Sequence, residues 1–533
     1  MSDADIIVVG SGCSGAMAAQ TLVEKGLRVH MIDVGVQDEQ YKNNIPAGNF
    51  EDIRKTNNQQ HIFFLGKDFE GIPGEETSAG AQLTPPRKHI TKYTDDFFRI
   101  QSQSFSPVES LAYGGLGAGW GLGCCVYSEK EMEKCSLPYV EMYDAYETVA
   151  KRIGISADAD DNASRFTIGN VKNHLPPLQL DESKKILDRF NRKKNKINQD
   201  DFFLGRPALA LLSQNYNGRS ATSYDDMHFY HDNGNSAYRP SITIDELKKQ
   251  NNFQYSGNYL ALSFEERENE AVLYCMHVIT KEKKEFKAKR IVLAAGALSS
   301  ARIVMRSFGT ENSLSFLCNP YTYYPCLNPL MTGKKISKEK TGMAQLSLFH
   351  DANKEESDIA MASLYSYRSL FLFRLLNEVP LNYKDGKEIM RFLLSGILIM
   401  GIHHPDQFSS NRFIRRISNS NSPTGDLFQM EYQLSEHEIT SLQTRERKFI
   451  RVMRKLGYWS LKRVNPKMGS SIHYAGTLPF DKEEKKFTLS KNGRLHGSKN
   501  IFVADSSGFT FLPAKGLTYS LMANAHRIAN EIF

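Results

Sequence analysis

Residues 6–35 read I-I-V-V-G-S-G-C-S-G-A-M-A-A-Q-T-L-V-E-K-G-L-R-V-H-M-I-D-V-G. The apolar run 6–9 reads as a strand buried on both faces, as in a parallel sheet. Gly10, Gly12 and Gly15 follow in G-x-G-x-x-G spacing, helix formers continue to Lys25, and Gly26 stands where a helix stops. A second strand, 28–32, ends in Asp33. Each piece has a physical task. Gly10 permits the tight turn, Gly12 lets a pyrophosphate approach the backbone, and Gly15 lets the helix pack close. The helix N-terminus offers free N–H groups and the positive end of its dipole to phosphates. Asp33 stands at the spacing, about 20 residues on, that accepts from ribose hydroxyls. Alone, three glycines are a weak signal. Set between strand, helix and acid, they predict a Rossmann-like α/β domain that binds a dinucleotide, without saying which one.

The rest of the chain repeats this grammar. Residues 291–300, I-V-L-A-A-G-A-L-S-S, form another buried strand ending in a small-residue turn. Residues 501–504 form a third, followed by Asp505-Ser506-Ser507, the loop P-A-K-G-L-T-Y-S (513–520) and a helix to about 532. Such widely separated segments imply one discontinuous domain wrapped around a long cofactor. Residues 112–125, A-Y-G-G-L-G-A-G-W-G-L-G-C-C, hold six glycines and suit a chain passing close to a flat ligand. Residues 253–290 read as antiparallel strands with charged turns. Further strands at 343–349, 358–366, 397–403 and 427–433 predict a second, mostly antiparallel sheet. Ser435 and Glu438 predict a capping box. The helix after it should bury Ile439, Leu442, Phe449, Met453 and Leu456.

Bulk properties exclude several classes. At 533 residues the chain should hold two or more domains. Its net charge of +7 is mild for that size and does not point to nucleic acid. The start lacks a secretory pattern, which makes the cytoplasm the expected location. Seven sparse cysteines with no C-x-x-C argue against disulfides and structural zinc, and no metal site is expected. The longest apolar stretch, 392–400, falls short of the roughly 20 residues a spanning helix needs. The run R-S-L-F-L-F-R-L-L (368–376) reads as a buried helix rather than a face resting on a membrane or partner.

Taken together, four blocks resemble the glucose–methanol–choline (GMC) family of flavin oxidoreductases. They are V-V-G-S-G-C-S-G with Asp33, G-G-L-G-A-G-W-G, I-V-L-A-A-G-A-L-S-S-A-R-I-V-M, and S-I-H-Y-A-G-T followed by N-G-R-L-H-G-S-K-N-I-F-V-A-D-S-S. Their order spans the chain, and the second block most resembles the sugar oxidase and dehydrogenase branch. The resemblance implies FAD in an extended pose, held by Gly10, Gly12, Ser14, Gly15 and Asp33. It adds Gly114, Gly115 and Trp120 from the second block, Ala295 and Gly296 from the third, and Asp505, Ser506, Leu517 and Thr518 near the C-terminus. It also implies hydride transfer from an alcohol carbon to the flavin, with His473 as the base. The implied divisions are 1–155, 241–310 and 463–533 for the FAD-binding domain, 311–462 for the substrate domain, and 156–240 for an insert belonging to it.

Two departures matter. Some members of the sugar-oxidase branch attach FAD to a His just before the Trp; here that position is Gly119, so FAD should be noncovalent. The family usually writes Asn-Pro or a His in the loop before the last helix, where this chain has Gly516-Leu517. Losing one such donor costs roughly 10²–10³ in rate; Lys515, Tyr519 or Ser520 could substitute, Lys515 foremost because a cation would stabilise an alkoxide, with solvent exposure as its plainer alternative. The expected function is oxidation of a small sugar or other polyol-like alcohol, with the electron acceptor unassigned. The alternatives are a flavoprotein of this fold that does not oxidise alcohols and a nicotinamide dehydrogenase using the first motif alone.

Overall fold

The computed structural model describes residues 4–41, 44–69, 84–366 and 382–532. The first apolar run forms β1 (Ala4–Val9), the helix formers form α1 (Cys13–Glu24), and the second run forms β2 (Val29–Ile32). β1 lies between β2 and the long strand β7 (Lys283–Leu293), parallel to both. β7 carries β13 (Ile501–Val503) on its other side, also parallel. The sequence-distant runs at 6, 291 and 501 are therefore neighbours, and their side chains are almost wholly buried.

The region 253–290 departs from a purely antiparallel reading. β4 (Phe253–Ser256) pairs parallel with β2 and completes the dinucleotide-type sheet. β5 (Tyr259–Glu266) and β6 (Ala271–His277) do form an antiparallel hairpin that runs on into the first half of β7. Two helices cap the C-terminal ends of β7 and β13: α3 (Ala297–Ser307) and α6 (Leu517–Glu531).

A second sheet of six antiparallel strands follows a strict period of two. It comprises β3 (Phe202–Gly205), β8 (Tyr321–Leu327), β9 (Leu346–Asp351), β10 (Ile359–Ser366), β11 (Ile397–His403) and β12 (Trp459–Ser460). Their order is β12-β8-β11-β10-β9-β3. One face presents Leu346, Leu348, Ala362, Leu364, Leu398 and Met400 to α2 (Lys184–Asn198) and α5 (Glu436–Lys455). The capping box of Ser435 and Glu438 starts α5 as expected. Phe449, Met453 and Leu456 are buried, but Ile439 stays 40% exposed. The predicted strand at 427–433 joins another sheet, as Asp426–Tyr432 beside Arg412–Ser418. The run 368–376 lies outside the described residues; α4 (Tyr383–Leu393) follows it.

Candidate active site

A single cavity of about 540 Å³ runs from the first glycine turn to the face of the six-stranded sheet. That volume falls in the range of small-molecule and cofactor sites. Gly10 adopts φ +98°, and a Cβ there would sit 2.9 Å from the Ala294 carbonyl oxygen. A Cβ on Gly15 would collide with the carbonyl oxygen of Gly10. Gly12, by contrast, has nothing nearer than 4.0 Å and lines the cavity. Two glycines thus bring turn and helix together, and the middle one leaves backbone open to a ligand. This is the arrangement a pyrophosphate requires.

Ser11 ties three blocks together. Its hydroxyl donates to Asp33 and accepts from the Gly114 N–H at 2.9 Å. Asp33 lines the cavity and also accepts from Tyr255 Oη at 3.1 Å; burial lifts its carboxyl to about 6. Gly115 crosses against Gly12, and Trp120 is buried with its indole N–H on the Tyr238 carbonyl at 2.9 Å. Ser14, Gly115, Trp120, Ala295, Gly296, Asp505, Ser506, Leu517 and Thr518 all line the cavity; Gly114 touches the turn from outside. Asp505 is a clamp: it accepts from Gly296 N–H at 3.0 Å, Ser300 Oγ at 2.6 Å and Ser507 N–H at 2.9 Å. Sequence reasoning missed Glu109 and Arg302, a buried bidentate pair at 2.6 Å that also lines the wall.

At the other end, the sheet's second face forms the wall. Tyr321 and Tyr323 of β8, Ser347 of β9, Ser363 and Tyr365 of β10, and His403 of β11 alternate with the core residues of the opposite face. Register places Ser347, Ser363, Gly401 and Tyr323 in one row across four strands. The Ser347 hydroxyl is fully buried and has no hydrogen-bond partner among the described residues. A buried unpaired hydroxyl costs free energy unless something meets it, and here it borders the cavity.

His473 lines the cavity, and the Asn319 carbonyl oxygen sits 2.9 Å from its Nδ1. The amide nitrogen of Asn319 donates to the carbonyls of His404 at 2.8 Å, Pro513 at 3.1 Å and Leu512 at 3.3 Å. Carbonyls only accept, so the amide orientation is fixed and its oxygen must face His473. Nδ1 then carries the proton, and Nε2 keeps its lone pair. Burial holds the imidazole down at about 4, hence neutral near pH 7. His403 stacks on it with ring centroids 5.2 Å apart and on Tyr321 at 4.4 Å. Burial and His473 keep His403 well below its usual value.

Gly516 lines the cavity directly before α6, and its backbone, not a side chain, fills the place of the family's second group. Neither reading of Lys515 survives. Its ammonium is fully buried beneath the loop, 2.7 Å from Glu131 and 3.0 Å from the Val126 carbonyl, and does not line the cavity. The Lys515 charge is met by a buried acid rather than by a ligand. Among the described residues no cluster of His, Cys, Asp or Glu could hold a metal ion.

No family model matches the chain. It is 21% identical over 554 residues to paromamine 6'-oxidase of Streptomyces fradiae, covering 98% of this chain and 90% of that protein. It is also 21% identical over 556 residues to 6'''-hydroxyparomomycin C oxidase of Streptomyces lividus, covering 99% and 91%. In fold it matches pyridoxine 4-oxidase from Mesorbium loti, with a TM-score of 0.58, 13% identity and coverage of 99% and 98%. The four blocks that resemble the glucose–methanol–choline oxidoreductases are thus assembled around one cavity, in a chain that these oxidases match over nearly its full length.

Proposed function

We propose that the chain is an FAD-dependent oxidoreductase that oxidises a CH–OH group of a sugar or similar polyol, with FAD bound noncovalently and His473 as the base. The observation that carries the reading is the locked tautomer of His473: a neutral imidazole with its Nε2 lone pair free, on the wall of a cavity that begins at a dinucleotide turn. The relatives support the substrate class; one is named for oxidising paromamine at its 6' position.

The residues fit the cofactor. The open backbone at Gly12 and the free N–H groups of α1 and α6 suit its phosphates and ring carbonyl. Asp33 suits the ribose. Gly119 offers no attachment point, which supports noncovalent binding. The segments 1–155, 241–310 and 463–533 form the cofactor half in this reading, and 156–240 with 311–462 the substrate half. When bound, the flavin supplies a two-electron acceptor for the hydride from the alcohol carbon.

The chain's own residues supply the rest. Nε2 of His473 takes the hydroxyl proton, which requires an approach of about 3 Å. Asn319 holds the ring so that the lone pair is presented rather than an N–H. The tyrosine and serine hydroxyls of the sheet face receive the other hydroxyls of the substrate. His403 supplies the second imidazole that Gly516 does not: it borders the cavity, stacks on His473, and its ring makes no side-chain hydrogen bond among the described residues. The test is the visible spectrum of the purified protein without oxygen, before and after a panel of sugars and alcohols. Bleaching by a substrate, abolished in His473→Ala, supports the reading; a bound flavin that no alcohol bleaches rejects it.

A further inference from the structure

The mild net charge hides a strong asymmetry. Four segments, 184–200, 327–335, 383–396 and 454–462, carry 15 Lys or Arg against 4 Asp or Glu, a net of +11. The whole chain is +7, so everything else together is net −4. These segments are contiguous in space. Lys193 of α2 donates to the Lys455 carbonyl at 2.7 Å, and Lys185 of α2 reaches Met331 Sδ at 3.8 Å. Trp459 pairs with Leu327, and the Gly333 N–H donates to the Phe392 carbonyl at 2.8 Å. α2, the end of α5, β12, the turn at 329–331 and α4 therefore share one side of the substrate half.

The same side is apolar at its tips. Of the eleven large hydrophobic side chains exposed among the described residues, five stand here: Leu330 at 75%, Phe392 at 57%, Leu461 at 56%, Trp459 at 55% and Ile389 at 44%. These segments make up about a tenth of the chain, so chance placement would put about one there. The positive charges crowd each other as well. Lys193 is shifted below its usual value, first by partial desolvation and then by Arg189, Lys196, Arg192 and Lys455.

We propose that this side is a docking surface for an anionic lipid bilayer, on which α2 and its neighbours lie while Trp459, Leu461, Leu330 and Phe392 enter the headgroup layer. Charge selects the partner's sign, and the apolar tips select its kind. A nucleic acid or an acidic protein would neutralise the lysines but leave five large apolar side chains in water, whereas an interface of lipid headgroups and acyl chains accommodates both. Trp and Leu flanked by Lys and Arg match the two zones such an interface offers. Among the described residues no helix is long and apolar enough to cross a membrane, so attachment here is to one leaflet.

The experiment is co-sedimentation of the flavin-loaded full chain with vesicles of phosphatidylcholine alone or with 30% phosphatidylglycerol added, at low and at physiological salt. Binding should require the anionic lipid and weaken with salt. Bromine-labelled acyl chains should quench the emission of Trp459; Trp120, the only other tryptophan, is buried. Arg192→Gln combined with Lys194→Gln should weaken binding tenfold or more, and Trp459→Ser with Leu461→Ser should do so independently, all with soluble-substrate activity unchanged. No binding to anionic vesicles overturns the proposal. So does binding without quenching, which would mark bare charge attraction, or a tighter hold on an acidic polymer such as heparin that vesicles fail to displace.

Discussion

The reading of His473 rests on Asn319, and replacing Asn319 by Ala tests it. The substitution removes an acceptor 2.9 Å from Nδ1 and the donor shared by three carbonyls. A hydrogen bond of this kind is worth about 1 kcal/mol net, and a buried donor left unmade costs up to about 3 kcal/mol. At about 1.4 kcal/mol per decade, that corresponds to a loss of roughly 5- to 150-fold in flavin reduction. His473→Ala should lose roughly 10²–10⁴, the span of general-base help. Asn319 acts through the imidazole, so in the His473→Ala background its removal should change the rate by less than about twofold, a non-additive cycle. The assay is stopped-flow bleaching at saturating substrate without oxygen, on protein whose bound-flavin spectrum shows an intact site. Equal losses from Asn319→Ala with and without His473 would refute the reasoning and reduce Asn319 to a packing residue.

Other outcomes follow from the same geometry. The proposed base must be neutral to accept a proton, and burial holds His473 at about 4, so on that reading flavin reduction should be flat from pH 8 to 5 and fall about tenfold per unit below 4; an inflection near 6.5 would contradict this. His403→Phe keeps the stack and removes the nitrogens, and should lower the reduction rate by about 10² with little change in folding, read by stopped flow and thermal melting. Lys515→Met leaves Glu131 buried without its partner and should cost about 3–5 kcal/mol in urea unfolding, largely recovered by adding Glu131→Gln. The reduction rate of the folded variant should stay within a few-fold; a collapse at unchanged stability would return Lys515 to the chemistry. Ser11→Ala breaks the link between Asp33 and Gly114 and should weaken FAD binding about tenfold in a fluorescence titration of the apoprotein.

The cofactor end was legible because its signals are local. Gly10, Gly15 and Asp33 lie within one strand–helix–strand unit, and each spacing reflects a contact inside that unit. The parallel strands at 291 and 501 were legible for the same reason, as apolar runs closed by small turns. What sequence could not reveal was pairing across distance. Asn319 meets His473 over 154 residues, and Lys515 meets Glu131 over 384. Nothing near Lys515 in sequence distinguishes a side chain facing the cavity from one facing a buried acid. His403 ends the run I-L-I-M-G-I-H, where both faces are buried and period-two alternation leaves no trace of which one borders a ligand. Its pairing with Tyr321 supplies that information. The charge asymmetry was invisible because its four segments are scattered between residues 184 and 462 and average out in the total.

The six-stranded sheet has a consequence for how this enzyme could change. Along β8, β9, β10 and β11, the odd-numbered Tyr323, Ser347, Ser363, Tyr365 and His403 border the cavity, while the even-numbered Leu346, Leu348, Ala362, Leu364, Leu398 and Met400 pack against α2 and α5. Selectivity and folding are thereby written on alternate letters of the same strands. A library confined to positions 347 and 363 would explore new substrates at little risk to the core, whereas Tyr323 and Tyr365 also pack with Met390, Ile397 and Ile399. Gly401 is the exception in that row, since any side chain there would collide with Tyr321. Drift in a lineage could follow the same path, with the core-facing register kept by stability and the cavity-facing positions free to follow whatever substrate is presented.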